Sequence, residues 1–152
     1  MMIESEDVKQ AIAERLLELF PEVNVYKEAK TNVLYPHFFV YQINLMSEDE
    51  RKNRFILYYM MEIRYRVAPD PSTDLTLQRD LDEIALKLLQ GFDIIDMEDE
   101  KVRCTDKSIE KSDGVLLFTM TIPIMVKVSD EGGIKQNTLS VKMENLNANI
   151  RS

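Results

Sequence analysis

Two stretches of strict alternation constrain this chain more than any other feature. From Arg54 to Val67 the odd positions read Phe55, Leu57, Tyr59, Met61, Ile63, Tyr65 and Val67 without a break. From Val115 to Val128 the even positions read Leu116, Phe118, Met120, Ile122, Ile124, Val126 and Val128. Residues two apart on a strand share a face, so each stretch is a strand with one continuous apolar side. A slip of one residue would turn that whole side to water, which fixes the register firmly. Each strand would span roughly 46 Å at ~3.3 Å per residue. A domain of this size has a diameter of roughly 40 Å. Strands this long reach past the body and can form a projecting ribbon. The second face of the first strand carries Ile56, Tyr58 and Met60, which need a cover. Either a helix of the same chain or a neighbouring subunit supplies it. With Arg64 and Arg66, which suit an acidic surface of a neighbouring copy, these residues are the candidate subunit interface.

The remaining segments supply layers for such a sheet. Val8, Ile12, Leu16, Leu19 and Phe20 form a helical stripe, with Ser5 as the expected N-cap, Glu6 and Asp7 at the positive end of the dipole, and Pro21 as the stop. Val23, Val25 and Tyr26 suggest a short strand. A third strand runs from Phe38 to Leu45, where Phe39, Tyr41, Ile43 and Leu45 are the expected buried row. Glu48 to Arg54 reads as a solvated turn. Asp70-Pro71-Ser72-Thr73-Asp74 reads as a turn leading into a second helix with Leu77, Leu81, Ile84, Ala85, Leu88 and Leu89 inward. Gly91 is the expected C′ residue of that helix. An acidic loop, Asp96 to Glu100, precedes a weaker strand around Val102 to Ile109. Asp113-Gly114 is a hairpin signal. Pro123, lacking an N–H, requires an edge or a bulge in the strand that follows. Gly132-Gly133 marks another turn. A last alternating segment, Leu139, Val141 and Met143, shifts phase to Leu146, Ala148 and Ile150 through a bulge near Glu144-Asn145. No repeat or linker divides the chain, so residues 1–152 read as a single domain. The expected fold is α+β, two helices packed on a largely antiparallel sheet in the order α-β-β-β-α-β-β-β.

Composition narrows the chemistry. Four glycines in 152 residues leave little room for a phosphate-cradling loop. No P-loop, dinucleotide fingerprint, zinc spacing or Ser-centred elbow is present. His37, the only histidine, stands beside Pro36 without a motif around it, and reads as structural or solvent-facing. Cys104, the only cysteine, reads as an inert thiol and fits a reducing compartment. Asp96-Met97-Glu98-Asp99-Glu100 lacks the ligand spacing and central glycine of a calcium loop. No catalytic, cofactor-binding or metal residue is therefore assigned. A net charge of −8 disfavours nucleic acid as a principal partner. An acidic opening without a basic n-region, and apolar runs shorter than ~20 residues, give no expectation of a signal peptide or a membrane partner.

The order of segments, together with several short phrases, resembles the phage tail terminator family, found in phages and in phage-tail-like bacteriocin particles. The likeness lies in Val8–Arg15 through Leu19-Phe20-Pro21 and in Val25-Tyr26. It continues in Pro36-His37-Phe38-Phe39-Val40, the Arg54–Val67 strand, and the Leu-rich helix ending at Gly91. Ser112-Asp113-Gly114-Val115-Leu116 and the closing Lys142-Met143-Glu144-Asn145-Leu146-Asn147 complete it. The resemblance implies a non-enzymatic structural protein, without cofactor. It would form a homohexameric ring that caps the tail tube, halts its polymerisation and presents the surface for head-to-tail joining. The implied partners are the chain itself, the tail tube protein, and the sheath and head-side connector. Assembly in the host cytoplasm would precede residence in the particle tail. The family offers no fixed motif of functional residues, so none is transferred. A head–tail connector or tail completion subunit is an alternative, as is a small-molecule-binding or hydrolytic α+β domain.

Overall fold

The computed structural model describes residues 3–28, 30–68, 74–98 and 100–127, the side chains of 74–78 excepted. Its elements are α1 (Ser5–Leu19), β1 (Asn24–Tyr26), β2 (His37–Arg51), β3 (Arg54–Arg66), α2 (Asp74–Gly91), β4 (Ile94–Met97), β5 (Glu100–Arg103), β6 (Thr105–Ser112) and β7 (Val115–Lys127). The five-stranded sheet runs β1-β2-β3-β7-β6, and β4-β5 forms a small second sheet. Only β1 and β2 pair in parallel within it. This is the α+β architecture that the alternation and the two helical stripes demand. The expected Val102–Ile109 strand is divided into β5 and β6 at Cys104. The turn at Asp70–Thr73, the inward side chain of Leu77, Val128, the Gly132-Gly133 turn and the closing alternating segment lie outside the described residues.

The two long strands pair with each other along their whole length, from Arg54↔Lys127 to Arg66↔Val115. Leu57, Tyr59, Met61, Ile63 and Tyr65 are buried on the same side as Leu116, Phe118, Met120, Ile122, Ile124 and Val126. That side is the core face. The α1 residues Val8, Ile12 and Leu16 and the α2 residues Leu81, Ala85 and Leu88 pack onto it. Ile95, Met97 and Val102 of the small sheet join the same cluster. The buried Tyr59 hydroxyl donates to the Ile3 carbonyl at 2.7 Å, tying the chain before α1 to the middle of β3. Asp113 (φ 50°) and Gly114 (φ 76°) take the two positive-φ positions of the β6–β7 turn, as a two-residue hairpin needs. The β6–β7 register stops at Thr105↔Thr121. Among the described residues Pro123 therefore has a strand neighbour only in β3, and its missing N–H breaks no ladder on the other side.

Five local expectations are corrected. Glu4, not Ser5, occupies the N-cap, and its N–H donates to the Asp7 carboxylate at 2.8 Å. The acid three residues on can reach back to the cap, so the helix starts one residue earlier than the serine suggests. In β2 the core residues are Phe38 and Val40; Phe39 is buried as expected but on the opposite face, among aromatic rings, and Tyr41 and Ile43 do not join the core cluster. A bulge between Gln42 and Asn44 then shifts the phase and brings Leu45 onto the core side, opposite Tyr59. The charged Glu48–Arg54 stretch is mostly strand, with Asp49↔Phe55 and Arg51↔Arg54 paired and only Lys52-Asn53 turning. Main-chain pairing tolerates charged side chains where both faces meet water. The acidic Asp96–Glu100 stretch is likewise a tight β4–β5 hairpin, with Met97↔Glu100 paired and Glu98 at φ 50°.

Gly91 is the last residue of α2, not a left-handed residue beyond it. Its smallness serves packing: a Cβ there would lie 2.4 Å from a Leu19 methyl carbon. At the same place Arg15 Nε donates to the Gly91 carbonyl at 2.9 Å, joining the C-terminal ends of the two helices.

Candidate assembly surface

Opposite the core lies a second face of the sheet, which no described helix covers. Its β3 row is Arg54, Ile56, Tyr58, Met60, Glu62, Arg64 and Arg66. The β7 row, Lys127, Met125, Pro123, Thr121, Thr119, Leu117 and Val115, stands directly opposite it. From β2 come His37, Phe39 and Tyr41 at one end, and Asn44, Met46 and Glu48 toward the tip. The β2–β3 turn and the end of β7 lie beyond the last β6 pair, so the sheet is three-stranded at this end; it is not the expected free ribbon, since Leu57, Ile124 and Val126 are buried there.

The centre of this face is apolar. Met46 is 53 % exposed, Ile43 48 % and Met125 41 %, around the half-buried Ile56, Tyr58, Met60 and Pro123. Large aliphatic side chains held beside one another on a sheet mark an interaction surface more strongly than isolated ones do. The Tyr58 hydroxyl donates to Glu48 at 3.0 Å, which fixes the ring across the β2–β3 pair. That same bond and the neighbouring carboxylate raise the pKa of the tyrosine.

The other end of the face is aromatic. His37, Phe39, Tyr35 and Tyr26 form a chain of ring contacts, with centroid separations from 4.6 to 5.8 Å. Tyr41 extends it, 5.9 Å from Phe39. The Arg64 guanidinium lies over the Tyr41 ring at 4.6 Å and is hydrogen-bonded to Glu62, a cation–π contact that holds a long side chain flat on the sheet. Arg66 is exposed at the end of the strand. All five residues singled out from the sequence, Ile56, Tyr58, Met60, Arg64 and Arg66, thus share one face. The first three meet in its apolar centre, and the arginines stand at its aromatic end. Sequence reading missed Ile43, Met46, Pro123 and Met125 as their companions. The β7 pair was visible as that strand's second row. Met46 was hidden because the charges after it suggested that the strand had already ended.

The single cysteine and the single histidine are both buried. Burial pushes the Cys104 thiol up to about 11, so the thiolate is scarce at neutral pH. His37 is buried among rings, and desolvation lowers its pKa. Among the described residues, no three His, Cys, Asp or Glu side chains gather as metal ligands. No helix among them is long and apolar enough to cross a membrane.

A family model described as phage tail terminator protein fits residues 7–134. A solved structure aligns with 86 % of this chain and 100 % of its own, at 12 % identity and a TM-score of 0.42. No curated protein matches.

Proposed function

Because this chain belongs to the phage tail terminator protein family, a family of structural phage-tail proteins, we propose that it assembles as a ring that caps the tail tube. The ring, a homohexamer, stops tube polymerisation by occupying the growing end, and its far side is the surface to which the head-side connector attaches. The tube protein is its first partner, and in a contractile particle the last sheath layer is another. Assembly takes place in the host cytoplasm. One observation supports this reading above the others. The outer sheet face holds Ile56, Tyr58 and Met60 beside exposed Met46 and Met125, and both described helices lie on the opposite side. An apolar face left over after a chain has packed its own helices is suited to another subunit.

The test is to follow particle morphology and thermal unfolding together. Tyr58→Asp and Met60→Asp are expected to leave unfolding close to wild type while tubes lose their uniform length and fail to join heads. If the folded variants still cap tubes normally, these side chains take no part in assembly. Tubes of normal, uniform length in particles lacking the chain altogether would overturn the capping function itself.

A further inference from the structure

The charges of the two layers differ, and the difference selects how copies meet. Among the described residues the outer sheet face carries five basic side chains, Arg51, Arg54, Arg64, Arg66 and Lys127, against the acidic Glu48, Glu62 and Glu110 and the bulged Glu50, which acts on Tyr58. The bases stand at both ends of the face, on either side of its apolar centre. The helix layer has the opposite character. Half-buried residues included, α1 and its N-cap carry the acidic Glu4, Glu6, Asp7, Glu14 and Glu18 against Lys9 and Arg15. On α2 the exposed Asp80, Asp82 and Glu83 outnumber Arg79 and Lys87. Among the described side chains each helix also leaves a large apolar residue in water, Leu17 at 50 % and Leu86 at 58 % exposure.

Two copies meeting sheet to sheet would gain little complementarity of charge, and two helix layers meeting would bring acid onto acid. Like charges placed together across an interface are strongly unfavourable. A sheet meeting a helix layer brings opposite charges together and buries leucine against methionine. It is also a heterologous contact, the kind that generates a ring when its rotation closes. We infer that the outer sheet face of one copy receives the helix layer of the next, with Arg54 and Arg66 facing the acidic sides of α1 and α2. This contact rests on the ring proposed above and specifies which surfaces build it.

Paired charge reversals test it. Arg54→Glu with Arg66→Glu alters the sheet face, and Glu14→Lys with Glu83→Lys alters the helix layer. None of the four side chains is fully buried, and unfolding temperatures check that each variant stays folded. Assembly is read by light scattering on the free protein and by co-sedimentation on purified tail tubes. Each reversed pair is expected to weaken assembly about tenfold or more, and mixing the two variants is expected to restore it through alternating copies. Raising salt to ~1 M, where charges are screened beyond ~3 Å, is expected to weaken the wild type. If the wild type assembles and the helix-layer variant assembles equally well, the contact is wrong while the ring survives. A wild type that stops at the mass of a dimer points to a two-fold contact and overturns the inference. A wild type that stays monomeric both free and on tubes overturns ring and contact together, and the face is then covered within the chain.

Discussion

The two faces of one sheet are built from the same strands and serve different ends. On the core side the rows of β3 and β7 meet α1, α2 and the small sheet, and residues such as Tyr59, Phe118 and Ile122 are fully buried. On the outer side the alternate residues of the same strands carry methionines, a tyrosine, a proline and paired charges, and all but the buried Thr121 remain partly in water. Fold stability is concentrated on the first face because burial there is complete within the chain. The second is free to carry recognition because little of the fold depends on it.

That contrast can be broken by substitution. The largest effect is expected from Phe118→Ala, since Phe118 is fully buried with its ring 5.8 Å from that of Phe92. Removing it should cost about 3–5 kcal/mol, measured by denaturant unfolding, and should abolish assembly only by unfolding the chain. A loss below ~1 kcal/mol would mean that the core face is not where stability resides.

A smaller effect is expected from alkali. The folded pKa of Cys104 is raised from 9.0 to about 11 by burial, and that of Tyr59 from 10.0 to about 12, chiefly by the same cause. The folded state therefore keeps protons that the unfolded state gives up. Their stabilisation is fully present below pH 9 and is lost as pH rises through about 12. For Cys104 the loss is on the order of 2 kcal/mol. Cys104→Ala should flatten the lower part of this decline, between pH 9 and about 11, in a series of urea unfolding curves. An unchanged slope there would remove the thiol from the account.

The smallest effect is expected on the outer face. Met125→Ser, at a position 41 % exposed, should change stability by less than ~0.5 kcal/mol while reducing assembly. A substantial drop in melting temperature would show that the outer face is also part of the fold's own packing, and the contrast between the faces would weaken.

Much of this architecture was legible in the sequence, and the failures share a cause. The buried rows of β3 and β7 followed from alternation alone, because period two admits one register once a face is apolar. The stripes of α1 and α2 and the Asp113-Gly114 turn followed as directly. The reading of β2 failed because a bulge changes the phase inside an otherwise regular strand, and nothing in Gln42-Ile43-Asn44 announces an extra residue. The charged end of β2 was mistaken for a loop because polarity reports contact with water and says nothing of main-chain pairing. Gly91 was read as a left-handed cap when its real constraint is a Leu19 side chain 72 positions away in the chain.

The candidate surface was half legible. The row Ile56, Tyr58, Met60 stood out because its strand was already certain, whereas Met46, Pro123 and Met125 joined it only once the strand partners were known. The sequence by itself determined which residues of β3 and β7 share a side, since in a strand without a bulge that depends only on the two-residue repeat of the extended backbone. Tertiary structure decided which strands lie side by side and which face the helices take. Both choices depend on contacts between residues far apart in the chain, to which local periodicity is blind.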